Sequence, residues 1–193
     1  LSVQGSSSPT VRIINTTLNF KFGTITSALG GKAIYASGAS VLNVSGGTIS
    51  SDTRTSCKDT LIGVYGDSAK MNMTGGTINN TKKMVGAICG QNNGNIINCI
   101  NKANIFVELD GDTSCVGGIS GYNTANAVIE NCRNTGYIYG KGKLVGGICG
   151  YSFGEIKKCY NSGEIKSDSE QVAGIAGDSE GTSSKQALVE SCY

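Results

Sequence analysis

Apolar residues along this chain fall in short clusters, mostly Ile and Val, and each cluster is closed by Gly, Asn, Ser or Thr. Clusters of β-branched residues separated by turn formers predict short strands rather than helices. No run repeats apolar positions at the three-to-four spacing of an amphipathic helix.

The clusters repeat. Val85-Gly-Ala-Ile-Cys-Gly90, Val116-Gly-Gly-Ile-Ser-Gly121, Val145-Gly-Gly-Ile-Cys-Gly150 and Val172-Ala-Gly-Ile-Ala-Gly177 are one block written four times. Their spacing of about 27 to 31 residues is in the range of solenoids, and short of the 40 or more that a propeller blade needs. A second block follows each one: Ile96-Ile-Asn-Cys99, Ile129-Glu-Asn-Cys132, Ile156-Lys-Lys-Cys159 and Val189-Glu-Ser-Cys192. Three of these run on to Asn101, Asn134 and Asn161, with Ile105, Ile138 and Ile165 closing the unit. Three short apolar segments per unit predict a three-faced parallel coil. Earlier in the chain, Val41-Leu-Asn-Val-Ser-Gly-Gly-Thr-Ile49 and Met71-Asn-Met-Thr-Gly-Gly-Thr-Ile78 form a variant unit, preceded by Ile34-Tyr35 and Val64-Tyr65. Val11 to Ile25 reads as a further diverged coil.

A single coil exposes an apolar inner face and a row of unpaired backbone groups, and a neighbour about 4.8 Å away satisfies both. The expected fold is therefore all-β: one single-stranded, right-handed parallel β-helix of about seven coils over residues 1–193. Ile88, Ile119, Ile148 and Ile175 should share one inward line. The repeat breaks off at Cys192-Tyr193, which suggests a piece of a longer protein.

Composition narrows the function more than it names it. The 193 residues include 29 glycines, about twice the usual share, and one proline, Pro9. Sixteen basic and 14 acidic residues give a net charge of +2 with no basic stripe, which argues against nucleic acid as a partner. No apolar run approaches a membrane span, so membrane insertion is not expected. Histidine is absent, and with it the commonest general base and metal ligand.

The units from Val85 to Tyr193 resemble the GLUG-type repeats of bacterial surface proteins, through the Val-Gly-Gly-Ile-x-Gly blocks and the Asn-Cys-x-Asn turns. The resemblance divides the chain into variant coils at 1–83 and GLUG-type coils at 84–193. It implies a large secreted or wall-attached parent, such as an adhesin-like protein or the N-terminal region of an immunoglobulin A-cleaving metalloprotease. The latter's His-Glu-x-x-His signature cannot occur here. The expected role is a non-catalytic extracellular element binding host or environmental glycans and glycoproteins, or other copies of itself end to end. A stalk or filament subunit is the second reading, and a polysaccharide lyase or hydrolase the third.

Candidate chemistry is sparse. Glu108, Asp110 and Asp112 form the one dense acidic cluster and are candidate calcium ligands; no other cofactor is indicated. Insertions near Ser51–Thr60, Asp110–Ser114, Tyr139–Lys143, Lys166–Gln171 and Asp178–Gln186 should project as loops. They make Asp110, Lys141, Lys143, Asp168 and Glu170 candidate ligand contacts. Tyrosines recur at matching positions, at Tyr122, Tyr151, Tyr160 and Tyr193. Tyr122 and Tyr151 are placed to stack on sugar rings. Of eight cysteines, Cys99, Cys132, Cys159 and Cys192 should form a buried ladder. Cys89 and Cys149 should be separated by the coil of Ser120, at about 9 to 10 Å and beyond disulfide reach. Free thiols are expected. Sequons stand at Asn15, Asn43, Asn72 and Asn79.

Overall fold

A computed structural model describes residues 2–5, 10–27, 32–51, 62–65, 70–80, 83–168 and 170–193. Among these residues there is no helix, and every strand pairing is parallel. Each strand pairs with its counterpart in the next unit rather than with its sequence neighbour. The chain therefore returns to the same place once per unit, the arrangement a β-helix requires.

The longest ladder starts at Ser2–Gly5 and passes through Thr24–Ser27, Thr48–Ser51 and Thr77–Asn80. It continues through Asn104–Gly117 and Ile138–Gly146 to Ile165–Ser167. It crosses from the variant units into the later ones without a break, because Thr77–Asn80 pairs with Asn104 to Val107. One column of isoleucines, Ile25, Ile49, Ile78, Ile105, Ile138 and Ile165, fills the interior along it. The first five are buried and Ile165 is partly so. Stacked β-branched residues suit this place, since their restricted rotamers cost little in a strand and pack on their copies above and below.

The repeated blocks stack as their spacing predicts. Val85, Val116, Val145 and Val172 are in register, as are Ile96, Ile129, Ile156 and Val189. Ile88, Ile119, Ile148 and Ile175 are linked by successive backbone bonds of 2.9 to 3.0 Å. Ile34 pairs with Ile62, so Val64 lies against Ala36 rather than against Ile34. An even offset preserves the alternation of faces along paired strands, where an offset of one would reverse it.

Two sequence expectations are corrected. The later units contain more than three strands, because the Val-Gly-Gly-Ile-x-Gly block is a corner. Its first two residues end one strand, and a second strand, such as Cys89–Asn92 or Cys149–Ser152, begins after its isoleucine. The closing glycine lies where two passes meet: a Cβ on Gly150 would approach the Val116 nitrogen to 2.5 Å, and one on Gly121 the Val85 nitrogen to 2.5 Å. The expected loops at Tyr139–Lys143 and Lys166–Gln171 are also no longer than the stretch that precedes them. From Gly140 to Leu144 the chain takes four steps, as it does from Ser167 to Gln171 and from Asn80 to Met84. Only the pass from Val107 to Cys115 is longer, at eight steps, and it stays in the ladder through two register shifts around Gly111. Bulging keeps the flanking backbone groups paired, which a projecting loop would not.

Polar side chains lock the corners. Asn101, Asn134 and Asn161 form an amide ladder, each donating to or accepting from the next at 2.7 and 2.8 Å. Each also bonds its own turn two residues on. A second ladder runs from Asn92 to Asn123 to Ser152. Asn98, Asn131, Lys158 and Ser191 take positive φ of 51 to 58° immediately before each ladder cysteine. Asn tolerates this conformation best, and Asn131 donates to Asn98 across the corner at 2.6 Å.

Candidate functional site

The described cysteines pack in or against the core. All seven described cysteines are free thiols, with Cys192 half-buried and the rest buried; Cys57 lies outside the described residues. Ser120 stands in register between Cys89 and Cys149. Cys132, Cys159 and Cys192 each donate to the carbonyl two residues back at 3.2 to 3.3 Å. Burial pushes the Cys89 and Cys115 thiols up to about 12, which leaves them protonated and unreactive.

Tyr122 and Tyr151 do come together. They are paired across adjacent passes, with ring centroids 5.7 Å apart in an edge-to-face contact. Phe153 completes the cluster at 5.7 Å from Tyr122 and 4.6 Å from Tyr151. It stands two residues after Tyr151, one past the end of the strand Cys149–Ser152, so alternation carried on from the strand could have signalled it. All three rings are half-buried. Contacts of this kind add about 0.5 to 1.5 kcal/mol each beyond burial, so the cluster is a fixed platform. The column continues to Asp178, and Tyr151 donates to Glu180 at 2.7 Å. Burial, reinforced by Glu180, holds the Tyr151 phenol protonated above its usual range.

Two insertions rim this platform. From Asn123 to Val128 the chain takes five steps, and from Ser179 to Leu188 nine, where Ser152 to Glu155 takes three. The second is the expected Asp178–Gln186 insertion; the first was not apparent from the blocks, because it adds only two residues. The longer loop is fastened by a Thr182–Lys185 turn and by Lys185, 3.2 Å from Glu155. Glu155 also pairs with Lys157 at 2.7 Å. Lys157, then Lys185, holds its carboxyl below the usual range.

The charged candidates gather elsewhere, on the longest ladder. Pairing of Gly111 with Gly142 sets Asp110 and Asp112 beside Lys141 and Lys143 along the backbone. The pairs Ser167 with Gly140 and Gln171 with Leu144 set Asp168 and Glu170 across from the same lysines. Lys143, Asp168 and Glu170 are exposed and Lys141 is half-buried. Glu108 is exposed, whereas the side chains of Asp110 and Asp112, and hence the calcium candidate as a set, lie outside the described ones. So do the Ser51–Thr60 insertion, apart from the Ser51 backbone, and the Asn79 side chain. Among the described residues no cluster of three metal-ligating side chains is found, and no helix is long and apolar enough to cross a membrane.

Compared with known families, the chain carries the GLUG motif twice, at residues 112–139 and 142–166. These are two of the four later units. No curated protein and no solved structure matches the chain.

Proposed function

We propose that this chain, a parallel stack bearing two GLUG motifs, is a right-handed β-helix of about seven coils. It would serve as a non-catalytic, extracellular segment of an adhesin-like surface protein, holding glycans or glycoproteins against one face. The observation that carries the reading is the Tyr122–Tyr151–Phe153 platform with its two rim insertions. Half-buried aromatic rings fixed by their neighbours present flat apolar area at little entropic cost, and the adjoining Asp178 and Glu180 supply acceptors for hydroxyl groups. The non-catalytic part is supported by a carboxylate on an adjoining strand. Glu155 is held ionised by two lysines, whereas a general acid for glycosidic cleavage needs a raised pKa.

The test is a binding screen of the purified protein against glycans, mucins and matrix proteins, with calcium and with chelator. Saturable binding that falls at least tenfold in Tyr151→Ala and on shortening the 180–187 loop is expected. Absence of binding at high micromolar concentration would remove the adhesin reading, and calcium dependence would bring Glu108, Asp110 and Asp112 back into it.

A specific observation favours the second reading, an element of a stalk or filament. Val172 and Val189 are 40% and 44% exposed, although their partners Val145 and Ile156 are fully buried. Sedimentation that shifts with concentration would show a second copy covering this apolar face.

A further inference from the structure

The geometry points to a separate ligand site, on the corner that follows the cysteine ladder, fitted to a saccharide bearing a carboxylate. Along this corner Ile100, Arg133 and Tyr160 form an outward column, which Tyr193 extends. The Tyr160 ring lies between two partners: the Arg133 guanidinium 5.0 Å from its centroid on one side, and the Tyr193 ring 5.0 Å away on the other. Across the corner stand Asn131 and Lys158, the two left-handed residues that precede Cys132 and Cys159. Between these columns, with Cys132 at its floor, is an open pocket of about 410 Å³, within the range of about 300 to 1,000 Å³ typical of small-ligand clefts.

Its lining has a definite chemical character. Arg133 is exposed and stacked, with no carboxylate partner among the described residues, so its planar fork is oriented and open to a bidentate acceptor. Lys158 reaches the same space but is shared with Glu130 at 3.3 Å. Tyr193, 77% exposed, offers a ring face for the apolar side of a pyranose. Nucleic acid is disfavoured because the chain's net charge is only +2 and its cations form no stripe beyond this pocket. A sugar acid meets the two cations with its carboxylate, the tyrosine with its ring, and Asn131 with its hydroxyls. The choice of ligand class rests on the glycan reading above; the residues and the face are different.

The test measures tyrosine fluorescence, which no tryptophan obscures in this chain, during titration with an oligogalacturonate and with its methyl ester. The free acid should bind at least tenfold tighter than the ester, and added salt should weaken it. Arg133→Gln should lower affinity about tenfold and Arg133→Lys by less, because lysine keeps the charge but loses the fork. Glu130→Gln should raise affinity severalfold by releasing Lys158. These surface changes leave the core intact, and an unchanged melting temperature verifies it. Equal binding of acid and ester, or full affinity in Arg133→Gln, overturns the site. If binding instead disappears in Tyr151→Ala alone, the platform stands and this pocket falls. If Arg133→Gln abolishes binding while Tyr151→Ala does not, the pocket stands, and the platform is decided by the wider screen of glycans, mucins and matrix proteins. If neither saccharide binds, the pocket falls.

Discussion

Asn101 donates its side-chain amide to Oδ1 of Asn134 at 2.7 Å, and both residues are completely buried. The bond joins two passes of the chain at a corner where the backbone turns. Asn134 repeats the gesture toward Asn161 at 2.8 Å. Removing the middle member strands a donor hydrogen of Asn101 in a place water does not reach, and takes one partner from the half-exposed Asn161. Asn134→Ala should therefore cost about 2 to 3 kcal/mol. Asn161→Ala, at a half-exposed position, should cost less. Urea denaturation measures both, and equal midpoints for Asn134→Ala and the parent would mean that the ladder adds nothing.

Gly150 and Gly174 give a sharper contrast. A methyl group on Gly150 meets the backbone nitrogen of Val116 at 2.5 Å and the Cys115 carbonyl carbon at 2.8 Å, whereas one on Gly174 meets nothing within 4 Å. Gly150→Ala should prevent folding or lower the melting temperature steeply, since two passes of backbone must separate to admit it. Gly174→Ala should leave it within a degree or two, as surface changes usually do.

Core positions should differ along a single column. Ile156 is fully buried and Val189, its register partner, is 44% exposed. Ile156→Ala should cost about 2 to 5 kcal/mol, and Val189→Ala less than about 1 kcal/mol. Equal losses would show that Val189 is covered in solution, and would favour association of copies.

The thiols predict an alkaline limit. Burial raises the Cys89 thiol to about 12, while an unfolded cysteine ionises near 8.5. A raised folded pKa gives stability that is complete below the unfolded value and is lost as pH climbs toward the folded one. Unfolding should therefore become easier from about pH 9 to 12, by up to about 1.4 kcal/mol per pH unit for each such thiol. At pH 8, alkylation followed by peptide mapping should modify Cys192 before any of Cys89, Cys99, Cys115, Cys132, Cys149 and Cys159. Labelling of Cys89 at the rate of Cys192 would contradict the burial.

Much of the stack was legible because its columns repeat residue types. The valines of the first block, the isoleucines of the second and the asparagines at the turn announce their alignment by identity. The corner inside Val-Gly-Gly-Ile-x-Gly was not legible, because an apolar cluster looks the same whether it is straight or bent; only the backbone approach at Gly121 and Gly150 distinguishes them. Loop lengths misled for a related reason. Charged residues at Lys141 and Asp168 resemble loop composition, yet the stretches that hold them keep the spacing of the pass from Asn80 to Met84. Arg133 carried no signal at all: its column holds Ile100, Arg133, Tyr160 and Tyr193, four positions with three residue types, and only their stacking makes them one feature.

The long pass between Val107 and Cys115 has a consequence for how such a molecule can diversify. Register with the preceding and following passes is regained on both sides of the extra residues, so the disturbance is confined to its own edge. A change of length there does not alter the phase of any column. This makes the segment a natural graft position: new peptide can be displayed on the flank of the shaft while the shaft itself is inherited unchanged.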